Sequence, residues 1–153
     1  MQIRTEQEAL YIACEMESTA VQFYTRALQV MQQMGREQEP LYAGIQNMLK
    51  DEQGHLCHFR TLYKGLDADD EQRLSLDAVA EGILFDGGLM GAARRGLFKD
   101  VSSMLELAAA AERTSVQKYR EFANAAQSDE ARKALLRIAA EEECHLMELE
   151  ATL

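Results

Sequence analysis

The chain carries the same two patterns twice, in the same order. The segments EMESTAVQFY and AAERTSVQKY each place a Tyr seven positions after a Glu and share the pair Val-Gln, so Glu17 corresponds to Glu112 and Tyr24 to Tyr119. Between and after them, DEQGH and EEECH each place a His three positions after a Glu, so Glu52 corresponds to Glu142 and His55 to His145. A chain made of two such halves has to bring like elements together, and the apolar spacing around each pattern says what those elements are.

Apolar residues recur at helical spacing from about residue 5 to 33, with Leu10, Cys14, Val21 and Leu28 on one side and Ala13, Met16, Ala20, Phe23 and Ala27 widening the stripe. Gly35 and the polar run that follows close this helix, and Pro40 suits the first turn of a second, over about 40–63, because its missing N–H costs nothing there. A third helix is expected over about 100–125 and a fourth over about 129–151, with Ser128 or Asp129 as its cap. The span from about 65 to 99 contains the acidic patch DADDE, a short helix expected after Ser75, and five glycines in quick succession; it reads as a crossover connection.

Four helices of about 22 to 28 residues are of matched length for a bundle. Short links make each pair antiparallel, and one long crossover joins helices two and three. The fold class is therefore all-α, a four-helix bundle with a single long crossover, and residues 1–153 are expected to form one domain.

Composition excludes several function classes. A formal net charge of −10 argues against a nucleic-acid or anionic-membrane partner, which would select for basic faces. Three separated cysteines, Cys14, Cys57 and Cys144, give neither a disulfide framework nor a thiolate metal site, and Cys14 and Cys144 read as buried small hydrophobes. No apolar stretch approaches the roughly 18 residues of a membrane span, and no signal-peptide core is seen. A cytoplasmic protein is expected.

The chemistry lies in the repeated patterns. Glu and His three apart project from adjacent turns of one helix face, so both can reach the same ion. Two such pairs on facing helices, with one further Glu from each remaining helix, offer four carboxylates and two imidazoles to two metals at the bundle centre. The expected ligands are Glu17, Glu52, His55, Glu112, Glu142 and His145, with Glu52 and Glu142 bridging and Glu17 and Glu112 at the ends. Two divalent ions would neutralise the four carboxylates; without them the site should be strained or partly protonated. Tyr24 and Tyr119, two turns beyond their glutamates, are candidate supporting donors, whereas His58 reads as a surface or packing residue.

With 26 acidic residues, a Glu three positions before a His arises by chance at about one in six per His. Two matches among three histidines, on different helices and with matched glutamates on the other pair, separate this set from a solvated acidic face. Ligands of this kind without thiolate suit iron, and manganese or zinc can occupy the same set.

These residues resemble the rubrerythrins and their ferritin-like relatives, over nearly the whole chain. The resemblance implies a ferritin-like four-helix bundle with two iron ions, a homodimer, and oxidation of the ferrous pair by peroxide or dioxygen. It also implies an external electron donor, because the chain has no paired cysteines for a rubredoxin domain. Ser115 stands where rubrerythrins carry a further carboxylate, which makes the site more symmetric, as in bacterioferritins. The expected function is thus a di-iron oxidoreductase of peroxidase or ferroxidase type. Non-catalytic iron binding or storage, and a metal-free structural bundle that pairs with another helical protein, are the competing readings.

Overall fold

A computed structural model describes residues 1–97 and 100–153, with the backbone alone at 89 and 90. Four long helices, α1 (Glu6–Gln33), α2 (Pro40–Leu62), α5 (Val101–Ala125) and α6 (Asp129–Thr152), form the bundle, and two short ones, α3 (Ala68–Ala80) and α4 (Gly88–Arg94), lie in the crossover. The described residues are helical with no strand, as the sequence requires.

Each boundary has a local cause. The Thr5 hydroxyl accepts the Glu8 N–H at 3.2 Å and starts α1, with Glu6 and Glu8 facing the positive end of the helix dipole. At its end Gly35 takes φ +70°, its N–H bonds the Gln32 carbonyl, and Arg36 N–H bonds the Met31 carbonyl, a Schellman closure that satisfies two orphan carbonyls. Pro40 opens α2. Asp100 caps α5 through the Ser103 N–H, and Ser128, not Asp129, caps α6 through the Ala131 N–H.

α1 packs on α2, α5 packs on α6, and the two hairpins meet through α1 with α5 and α2 with α6. The crossover holds more structure than the sequence suggested. Its first helix begins at Ala68 inside the acidic patch, not after Ser75, because Asp69, Asp70 and Glu71 sit in the first turn where a helix favours negative charge. α3 lies against α1: Leu74 and Ala78 are buried, Tyr11 meets Ser75 at 2.8 Å, and Tyr63 donates to Glu71 at 2.7 Å. The glycine-rich part forms α4, capped by Gly87 at φ +72°. The last two crossover positions, 98 and 99, lie outside the described residues.

The core is in two pieces, each built from all four long helices. One gathers Leu10, Ile12, Phe59, Tyr119, Phe122 and Leu135 with α3; the other gathers Phe23, Met31, Ile45, Met48, Met104 and Leu149. Between them, at the middle of every long helix, lies a polar layer. Val21 and Leu28 of the α1 stripe sit at the edge of the core, only partly buried.

Candidate metal centre

Glu17, Glu52, His55, Glu112, Glu142 and His145 occupy that layer, and all six are 1–4 % exposed. Together with Glu8, which bonds Arg73 at 3.2 Å and the Arg4 N–H at 3.2 Å elsewhere in the fold, they are the buried carboxyl and imidazole side chains among the described residues. The spacing explains the convergence: three residues along α2 and α6 bring Glu and His to one face, and α1 and α5 bring one Glu each from the opposite side.

One ligand atom from each residue falls into two groups, within 4.8 Å of one another in each: Glu17, Glu52, His55 and Glu142, and Glu52, Glu112, Glu142 and His145. Glu52 and Glu142 belong to both. Each imidazole lies closest to the glutamate of the opposite Glu-x-x-His helix, His55 Nδ1 to Glu142 Oε1 at 2.8 Å and His145 Nδ1 to Glu52 Oε1 at 3.1 Å. The rings stack 6.2 Å apart at 26°.

These approaches are of ion-pair length but lack hydrogen-bond geometry. One inward atom of every residue in the set, Glu17 Oε2, Glu52 Oε1, His55 Nδ1, Glu112 Oε2, Glu142 Oε1 and His145 Nδ1, is buried without a hydrogen-bond partner. Six orphaned polar atoms at one place would cost a fold several kcal/mol each in the harshest case, and a cation removes that cost at once. Oxygen and imidazole nitrogen in two overlapping four-atom sets fit a pair of metal ions.

The outward atoms of Glu17, Glu112 and both imidazoles are held. Tyr24 donates to Glu112 Oε1 at 2.5 Å, and Tyr119 donates to Glu17 Oε1 at 2.9 Å. Both phenols are kept well above their usual range, first by burial and then by the carboxylates around them, so they stay protonated donors. His55 Nε2 bonds Glu141 Oε2 at 3.1 Å and His145 Nε2 bonds Asp51 Oδ2 at 3.0 Å. An acceptor at Nε2 fixes the proton there in the neutral ring and turns the Nδ1 lone pair inward.

Charge is distributed unevenly. Burial pushes the Glu17 and Glu142 carboxyls well up, and the neighbouring carboxylates add to it. Burial also pushes Glu52 up, but the His145 and His55 imidazoles outweigh it and hold the carboxyl at about 2. Burial lowers both imidazoles, yet Glu17 and Glu52 raise His55 to about 10, and Glu112 and Glu52 raise His145 to about 11. The layer thus favours holding protons at Glu17, Glu142 and both imidazoles, which bound ions would displace.

Sequence reasoning passed over Asp51 and Glu141, although each directly precedes a glutamate of the set. Arg137 braces one of them, donating to Glu141 at 2.8 Å and to His58 Nδ1 at 2.8 Å; His58 therefore stands outside the layer. Cys14 is buried as expected, but Cys144 is exposed: it sits about 100° around the helix from the inward His145.

Among the described residues no helix is long and apolar enough to cross a membrane. The sequence model of the ferritin-like domain family matches residues 5–153. Neither a curated protein nor a solved structure matches the chain. A family match over nearly its whole length, joined to a helical bundle whose buried carboxylates and imidazoles could hold metal, means that the chain belongs to the ferritin-like domain family.

Proposed function

We propose that the protein is a di-iron oxidoreductase of the rubrerythrin-like kind, its whole length forming one ferritin-like domain. The observation that carries this reading is that the six residues with an orphaned buried atom are the six that form two overlapping groups sharing Glu52 and Glu142. In this reading Glu17 and His55 would hold one ion and Glu112 and His145 the other, with Glu52 and Glu142 available to both. A bound iron pair supplies two electrons to peroxide or dioxygen.

The chain's own groups do the rest. Glu141 and Asp51 keep the imidazoles oriented, and Tyr24 and Tyr119 keep a proton on the outer face of each terminal glutamate. The four carboxylates would offset the charge of two divalent ions among side chains only 1–4 % exposed. Iron is preferred over manganese or zinc because imidazole and carboxylate donors without thiolate suit it and it would supply the electrons for reducing peroxide or dioxygen. A homodimer, an external electron donor and a cytoplasmic setting belong to the same proposal.

An anaerobic ferrous titration followed by peroxide tests it. Two irons per chain, oxidised as a pair with a diferric absorption band, are expected, and Glu52→Ala or Glu142→Ala should abolish paired binding while helicity persists. Two-metal binding by both variants would refute the ligand assignment. Repeated peroxide consumption with a reductant separates turnover from mere iron holding; no iron uptake at all would return the chain to a metal-free structural bundle.

A further inference from the structure

A pocket of about 130 Å³ opens where α1 and α5 meet under the connector between α3 and α4. Its outer edge includes the exposed Ala110, Ala111 and Gly82, and its floor includes Glu52, Glu112 and Glu142, so it joins the surface to the carboxylate layer. It reaches neither Glu17 nor His55. The two halves of the layer, alike in ligands, therefore differ in access.

The walls are apolar: Met16, Ala20, Phe23, Leu107 and Ala108 from the bundle, with Ile83 and Phe85 as a roof from the connector. Two of the lining hydroxyls are turned to other uses, since Thr19 donates to the Glu15 carbonyl at 2.9 Å and Thr114 to the Ala110 carbonyl at 3.1 Å, which leaves Ser115 as the small hydroxyl of the wall. No Lys, Arg or His is among the described residues that line it. An anion would meet carboxylates with no cationic partner, and a strongly polar molecule would find few donors. An apolar cavity of about 150 Å³ is enough to take up benzene or xenon.

We propose that this pocket binds a small, uncharged, apolar molecule, about one six-membered ring in size, and holds it against the Glu112 side of the carboxylate layer. The assignment rests on the pocket's shape and chemistry and goes beyond the iron reading above. Its occupant would be presented to one half of the layer only, beside Glu112 and the Tyr24 hydroxyl that bonds it.

The test is calorimetric or NMR-monitored titration of the protein as purified with benzene, with benzoate as the charged control. Saturable benzene binding, at least about tenfold tighter than benzoate, is expected. Ser115→Leu, which fills the pocket from α5, should weaken benzene binding by about tenfold or more at unchanged helicity, and Ile83→Ala, which enlarges the roof, should strengthen binding of the larger toluene. Absence of saturable binding, equal binding of benzoate, or benzene affinity unchanged in Ser115→Leu together with toluene affinity unchanged in Ile83→Ala would overturn the proposal; should one variant not fold, the other decides. Benzene binding without iron uptake would keep the pocket and remove the iron reading, and iron uptake without benzene binding would do the reverse.

Discussion

Tyr119 on α5 donates its hydroxyl proton to Oε1 of Glu17 on α1 across 2.9 Å, so each half of the chain supplies the hydrogen bond that positions a glutamate of the other. Tyr24 does the same for Glu112. The duplication seen along the sequence is thus interlocked in space, and neither hairpin completes its own polar layer.

Removing one of these hydroxyls leaves a buried carboxylate oxygen without its donor. Tyr119→Phe and Tyr24→Phe should each lower the stability of the metal-free protein by about 1–3 kcal/mol, read as a fall in urea midpoint at unchanged slope. Unchanged midpoints in both variants would mean that the bonds contribute nothing to holding the layer.

Asp51 and Glu141 touch no inward atom of the layer, yet they set which imidazole nitrogen faces it. Asp51→Ala and Glu141→Ala should weaken metal binding by about 10- to 100-fold while the helical signal stays constant. Competition with a chelator of known affinity measures this. Wild-type affinity in both variants would show that the rings are fixed by packing alone.

The three thiols should separate cleanly. Cys57 and Cys144 are exposed, whereas burial pushes Cys14 up to about 11, so at pH 8 only the first two should react with iodoacetamide in the folded protein. A thiol whose folded value is raised favours the protonated form in the fold. Its contribution to stability is complete below the unfolded value of about 8.5 and is lost as pH climbs from there towards 11. Mass spectrometry counts the labels, and three labels at native pH would contradict the burial of Cys14.

α3 is part of the core and should unfold with it. Leu74→Ala empties a fully buried position and should cost about 2–5 kcal/mol in one cooperative transition. A separate early transition, or a loss well under 1 kcal/mol, would mark α3 as an independent appendage.

What could be read from the chain and what could not divide along physical lines. The long helices carry their own signals in apolar period, in Pro40, Gly35 and Ser128, so their limits fall within a residue or two of expectation. The six residues of the layer stood out because Glu and His three apart share a helix face wherever the helix goes. Asp51 and Glu141 carry no such period; an acid beside an acid reads as solvated charge until the facing helix shows which ring it meets. The crossed tyrosine bonds depend on how α1 lies against α5, which spacing along either helix does not contain. Cys144 was legible after all, since a residue just before an inward His on a helix points away from it. The acidic patch acquires its meaning from position, since at a helix start it meets the positive end of the helix dipole.

The division of the core into two apolar pieces, with every long helix contributing to both, sets the conditions under which ions can come and go. In small zinc domains the metal is the core and its loss is unfolding. Here the helices are gripped above and below the layer by side chains that do not depend on it. Under the proposed metal-binding role the cradle would be emptied, protonated and refilled while its walls stay in register, and loading would be an exchange of protons for cations at fixed geometry.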